Sequence, residues 1–156
     1  MKTKDGVHSY KIALKSVKTE EFAFFESNYK NDVEIGLTTQ IQFKIDTTTQ
    51  MLGSYFSFEF DQNKIKFLKI VVSCHFYIDN KSWSIITTTK NSKVTIPKSV
   101  ISNYAEFGIS TTRGVLAAKT EGQKYPQFII PFLDIKAFIK NDAIFNIGEE
   151  PTEKLI

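Results

Sequence analysis

Between Val33 and Ile45, apolar side chains fall at every second position: Val33, Ile35, Leu37, Ile41, Phe43 and Ile45, broken only by Thr39. Glu34, Gly36, Thr38, Gln40, Gln42 and Lys44 stand between them. Successive side chains of a strand point to opposite faces, so this pattern predicts a long strand with one buried and one polar face. A chain that contains such a strand needs others beside it and something to cover its apolar side.

The others are legible. Tyr10, Ile12 and Leu14 alternate with Lys11, Ala13 and Lys15. Phe56, Phe58 and Phe60 alternate, "DQN" supplies turn residues, and Ile65 and Phe67 resume the pattern. The phase then shifts and continues through Ile70, Val72, Cys74, Phe76 and Ile78, which predicts a bulge near Phe67–Lys69. Four strands, the last two a long hairpin, make an antiparallel sheet with one face to cover.

The cover comes from the C-terminal half. Pro97 suits a first helical turn, Thr95 or Ser99 is placed to cap it, and no proline interrupts Lys98 to Thr120 before Gly122 supplies a stop. Val100, Tyr104, Phe107, Val115 and Ala118 lie along one side of that helix. Gly108 and Gly114 each cost about 1 kcal/mol against alanine, so close packing is the expected reason to keep them. The Thr/Ser-rich "WSIITTTKNSKVT" reads as a loop or short extra strand, and a second short helix is expected over Leu133 to Lys140. The resulting class is α+β: a four-stranded antiparallel sheet covered by a long and a short C-terminal helix. Residues 1–145 form a single domain in this reading, and 146–156 a flexible tail.

Several chemistries fail on spacing. "STTRGVLAAKTEG" has glycine, threonine and Lys119-Thr120, but a phosphate loop needs Gly-Lys-Ser/Thr after its last glycine, and Val115 follows Gly114. Arg113 and Lys119 are expected as solvated or ion-paired helix residues. Cys74 and His75 are neighbours on a strand and point to opposite faces, so they cannot act as nucleophile and base. Glu20, Glu21, Glu26 and Asp32 show no acid–base pair pattern. One cysteine and two histidines cannot build the usual structural zinc site. The net charge of +3 is too mild to imply nucleic acid, and "KIKFLKIVVSCHFY" lacks the glycine of an RNA-binding octamer. No catalytic residue, metal or cofactor is expected. "MKTKDGVHSY" has no apolar signal core and no run is long enough to span a membrane, so the expected setting is cytoplasmic.

The 14 phenylalanines are more than average usage predicts, and Phe22, Phe24 and Phe25 stand close together with Tyr29 in "EEFAFFESNYKND". Phe22, Phe24, Phe25 and Tyr29 fall where the chain crosses from the first strand to the second. Adjacent Phe24 and Phe25 cannot both point inward on an extended segment. An exposed phenylalanine forgoes about 1.5–3 kcal/mol of burial, and such patches mark partner sites.

In the order strand, aromatic crossover, three strands, long helix, proline-bounded segment and short helix, the chain resembles the SecB-like chaperone family. "KIKFLKIVVSCHFYI" is similar to the family's fourth strand, and "ISTTRGVLAAKTEG" to its first helix, with Arg113 and Gly122 in place. "YPQFIIPFLDIKAFI" resembles the stretch leading into the second helix, with Tyr125, Pro126, Phe128, Pro131 and Phe138 at matching positions. The resemblance spans roughly residues 8–141. It implies a homotetramer, a dimer of dimers, with the long helices between layers; Tyr104, Phe107, Gly108, Thr112, Gly114 and Val115 are the interface residues it suggests. It implies ATP-independent holding of unfolded polypeptide clients in an apolar groove. Carried over, that groove takes Phe22, Phe24, Phe25, Tyr29, Phe128, Phe132 and Phe138.

Two departures qualify the delivery partner. Export members are strongly acidic and hand cargo to a translocase motor ATPase, whereas outward strand positions here include Lys11, Lys15, Lys44, Lys64 and Lys66. The tail is also short. A chaperone attached to a toxin–antitoxin system is the alternative within the family. Outside it stand a non-chaperone oligomeric scaffold, which would pack the crossover phenylalanines shut, and a small apolar-ligand carrier, which would enclose a cavity.

Overall fold

The computed structural model describes residues 11–147 and the backbone of 154–155. The expectations placed on Tyr10 and on most of the tail fall outside the described residues. The large sheet holds β1 (Ile12–Phe24), β2 (Gly36–Asp46), β3 (Met51–Gln62), β4 (Ile65–Ile78) and, at Lys154–Leu155, β8, in the antiparallel order β1-β4-β3-β2-β8. After β4 come α1 (Asn80–Ile86), β5 (Thr88–Lys90), β6 (Lys93–Ile96), α2 (Lys98–Thr120), α3 (Ile135–Phe138) and β7 (Ala143–Asn146). Strands β5-β6-β7 form a second, three-stranded sheet. The α+β architecture of a four-stranded antiparallel sheet with a long and a short helix after it is therefore observed.

Turn chemistry sets the hairpins. Asn63 and Lys64 join β3 to β4 with both φ values positive, 52° and 66°, as a two-residue turn matched to strand twist requires. Asn91 and Ser92 do the same between β5 and β6. At the β2–β3 turn, Asp46 Oδ1 accepts from the backbone N–H groups of Thr48 and Thr49 at 2.9 and 3.0 Å. That turn holds the Asp46 carboxyl below its ordinary pKa.

The bulge expected near Phe67 is present. Phe60 faces Leu68 while Asp61 faces Lys66, so Phe67 is the extra residue and both Phe67 and Leu68 enter the core. The first strand is longer than its sequence pattern suggests. It runs to Phe24, and its register against β4 slips between Leu14 and Ser16 and again between Thr19 and Glu21. Each slip resets the inward phase, so simple alternation stops being visible after Leu14 although the strand continues. Phe22 and Phe24 therefore lie on β1, not on the crossover.

The crossover, residues 25–35, takes the chain from one edge of the four-stranded array to the other. It is tied down by backbone and side chain alike. Phe25 N–H donates to the Phe67 carbonyl at 2.7 Å, and Asn28 Nδ2 donates to Lys66 O at 2.9 Å. Buried Gln62 uses its whole amide here: Oε1 accepts from Lys30 N–H at 2.8 Å, and Nε2 donates to Lys30 O and Val33 O at 2.8 and 3.0 Å.

Helix α2 occupies the predicted span, and Gly122 follows it with φ +68°. It lays Ile101, Ala105, Gly108, Ile109, Thr112 and Leu116 on the sheet. Buried threonines stay satisfied, Thr112 Oγ1 donating to Gly108 O and Thr120 Oγ1 to Leu116 O. Neither Thr95 nor Ser99 caps the helix. Pro97 is its N-cap residue and its ring offers no acceptor; instead Asp142, just before β7, accepts from Lys98 N–H at 2.8 Å. Helix α1, whose cap Asp79 accepts from Ser82 N–H at 2.8 Å, runs into the segment expected as loop or strand, and the β5–β6 hairpin follows. The second helix is shorter than expected, confined to Ile135–Phe138. In the stretch expected as flexible tail, Asn146 ends β7 and Lys154–Leu155 pair with Gln42–Phe43 of β2.

Candidate functional site

The seven groove candidates divide. Phe24 from β1, Tyr29 from the crossover and Phe128 from the segment after α2 meet in one aromatic cluster with Phe60, Phe67 and Tyr125. Ring centroids of Phe24 and Tyr125 lie 3.9 Å apart, those of Tyr29 and Phe128 5.3 Å, and those of Phe67 and Phe128 5.4 Å. Phe128 is buried, and its N–H is held by Thr120 Oγ1 at 3.0 Å. These three residues close the core at this end instead of lining an open groove. The physical reason is the bulge: it turns Phe67 inward and offers the surrounding rings a partner.

Phe22 is half-buried on β1 with the Lys119 ammonium 5.1 Å above its ring. Lys119 thus covers an aromatic face and is not simply solvated. Phe138, on α3, is half-buried against the core rim. Phe25 and Phe132 point outward, 54% and 95% exposed. Phe24 and Phe25 do not both point inward: Phe24 packs against the core and Phe25 is exposed.

Phe132 stands at the lip of a cleft of about 500 Å³ between α2 and residues 132–136. Ile109, Leu133 and Ile135 supply apolar walls, and Glu106, Ser110 and Arg113 supply polar ones. The wall is held by Arg113, whose Nε and Nη2 donate to the carbonyls of Ile130 and Pro131 at 2.8 and 2.9 Å. Arg113 was expected solvated or ion-paired; it is a clamp on the backbone. Sequence reading missed the cleft residues Glu106, Ile109, Leu133 and Ile135, and the visible signal for them was Pro131, which breaks regular structure beside an arginine-bearing helix.

The suggested interface helix also divides. Tyr104, Gly108 and Thr112 face the chain's own sheet, with Tyr104 also on the wall of a surface hollow that Phe107 shares. The Tyr104 ring packs on Phe76 at 4.8 Å, and burial pushes its phenol well above the ordinary range. Phe107, 43% exposed, and Gly114 face outward, with Val115 half-buried between the two sides.

On the far face of the sheet, a polar set unites β1 and β4. Ser73 Oγ donates to Glu20 Oε1 at 2.5 Å and lies 3.0 Å from His75 Nε2. Ser73 is fully buried beneath them. Burial and the Lys18 charge lower the His75 pKa, against the opposing pull of Glu20. Cys74 points the other way, into the core, where burial pushes its thiol up. Beside this set runs an ion-pair group: Lys69 reaches Glu21 at 2.8 Å and Glu59 at 3.9 Å, and Lys66 pairs with Glu59. Among the described residues no cluster of His, Cys, Asp or Glu could hold a metal ion, and no helix is long and apolar enough to cross a membrane.

No family model and no curated protein matches this chain. A solved structure titled as a protein of unknown function from Streptococcus agalactiae is similar at 12% identity and a TM-score of 0.37, covering 80% of this chain and 100% of its own.

Proposed function

We propose that this chain is an ATP-independent holdase, similar in kind to the SecB-like chaperones, which binds non-native polypeptide on an exposed apolar surface. One observation carries the reading: Phe132 stands free in solvent at the lip of an open cleft with apolar walls, on a segment that Arg113 holds in place. Leaving a phenylalanine and the neighbouring Ile129 exposed forgoes burial that folding would otherwise use, and a partner's apolar side chains recover it. The client surface of this proposal is centred on Phe132, Leu133 and Ile135, with Phe25 a second exposed ring. It differs from the expected groove by leaving out Phe24, Tyr29 and Phe128. Self-assembly into a dimer of dimers and a cytoplasmic setting belong to the same proposal, as does hand-over to a motor ATPase or to an antitoxin.

A second reading has its own observation. The mutual packing of Phe24, Tyr29 and Phe128 is what an oligomeric scaffold without clients would display.

Light scattering with a slowly folding polypeptide diluted from denaturant separates the two. Suppressed aggregation and co-elution of client, both weakened in Phe132→Ser, support the holdase. An assembled protein that ignores unfolded polypeptide leaves the scaffold.

A further inference from the structure

At the end of the sheet where β1 begins, the chain leaves an open hollow of about 200 Å³. Ile12 from β1, Phe76 from β4, and Val100, Asn103, Tyr104 and Phe107 from α2 form its walls. The three aromatic walls meet edge to face. Phe76 stands 4.8 Å from Tyr104 at 68° and 5.4 Å from Phe107 at 74°. None of these lining residues is charged, so an ion seated there would leave water without a counter-charge.

One atom is out of keeping with this apolar setting. Tyr104 is 5% exposed, and its hydroxyl is buried with no hydrogen-bond partner among the described residues. Buried tyrosines ordinarily find a partner, because a hydroxyl taken out of water and left unmet is costly. Asn103, the other polar wall, is exposed to solvent and has no such need. Burial also keeps the Tyr104 phenol protonated, so it can both donate and accept.

We infer that the hollow binds a small neutral aromatic molecule carrying one hydrogen-bonding atom, a phenol in its simplest form, with that atom on the Tyr104 hydroxyl. Size sets the first limit: a dry cavity of about 150 Å³ takes up benzene, so a single ring with a short substituent suits this one. The faces and edges of Phe76, Tyr104 and Phe107 favour a ring over an aliphatic chain. A purely apolar occupant, whether an acyl chain or a side chain from a second copy, would cover the hollow and leave the hydroxyl unmet. The hollow shares no lining residue with the Phe132 cleft, and the inference does not rest on client holding.

NMR titrations with phenol and with toluene, which matches its shape without the hydroxyl, test the assignment. Phenol should shift the signals of Ile12, Tyr104 and Phe107 saturably and leave those of Phe132 and Leu133 in place. In Tyr104→Phe, which folds without the unmet hydroxyl, phenol should bind about tenfold more weakly while toluene stays within about twofold. Phe107→Ala, which removes a half-exposed wall, should weaken both ligands.

Phenol affinity unchanged by Tyr104→Phe would overturn the proposal. Shifts centred on Phe132 that vanish in Phe132→Ser would overturn it too, because the ring would then be occupying the other cleft. So would a fall in sedimenting mass on adding phenol, which would make the hollow a contact between copies.

Discussion

A methyl group added at Gly108 would stand 1.8 Å from Cε2 of Phe56. Helix α2 thus lies directly on the aromatic ring of β3, and the glycine is what permits that approach. Gly114, six residues on, has nothing within 4 Å of the same hypothetical atom. Two helix glycines that look alike in the sequence answer to different needs.

Gly108→Ala should therefore destabilise by about 1–3 kcal/mol or more, since the helix must lift from the sheet. Gly114→Ala should stabilise the folded chain by about 1 kcal/mol through helix propensity. Urea unfolding of both variants checks the opposite signs. Equal losses at the two positions would contradict the packing described here.

Removing the Asp142 carboxylate leaves the first turn of α2 with an unmet donor, because proline at the N-cap cannot substitute for it. Asp142→Ala should cost about 0.5–2 kcal/mol, and Asp142→Asn should retain much of that. Hydrogen exchange at Ser99 to Ile101 should accelerate in the alanine variant ahead of the rest of the helix.

Gln62→Leu keeps the size of a buried side chain but strands the Lys30 N–H and the two carbonyls that the amide serves. Unmet partners of this kind cost about 1–3 kcal/mol each when buried, less where water reaches them. The expected result is lower stability together with faster proteolysis within residues 25–35. An unchanged cleavage pattern would show that the crossover is held by other contacts.

His75 makes stability depend on pH. Its folded-state pKa lies below the ordinary 6.5, so the unfolded chain binds the proton more readily. The stabilisation is present above pH 6.5 and is lost as pH falls through the lower folded value. Thermal unfolding from pH 7.5 to 5 should show a falling midpoint in the wild type and a flatter profile in His75→Gln. A midpoint that rises toward acid would mean that Glu20 dominates the imidazole instead.

The aromatic residues separate in stability. Phe128→Ala, in the ring cluster, should cost about 3–5 kcal/mol. Phe132→Ser should fall within about 0.5 kcal/mol of wild type because its side chain packs on nothing. Chemical denaturation of the pair distinguishes core from docking residue without any client present.

Much of the fold was legible because its rules are local. Alternation located β2, β3 and β4, though Val33 and Ile35 precede β2, Phe67 betrayed its bulge by breaking phase, and Pro97 and Gly122 flank α2. What stayed hidden was non-local. The two register slips in β1 erased the alternation that would have carried the strand to Phe24, and α1 is too short to show a helical period. Of the candidate site, Phe25 and Phe132 were named and are exposed, but Phe24, Tyr29 and Phe128 were named for a groove and close the core.

By itself the sequence determined which side chains must leave water and with what period, because that depends on the spacing of apolar residues along one strand or helix. Only the tertiary structure decided which of several equivalent phenylalanines found partners, that a carboxylate from residue 142 would cap a helix beginning at 98, and that one glycine of two would meet a ring. Those outcomes depend on which distant segments come within a few ångströms of each other, and no local spacing records that distance.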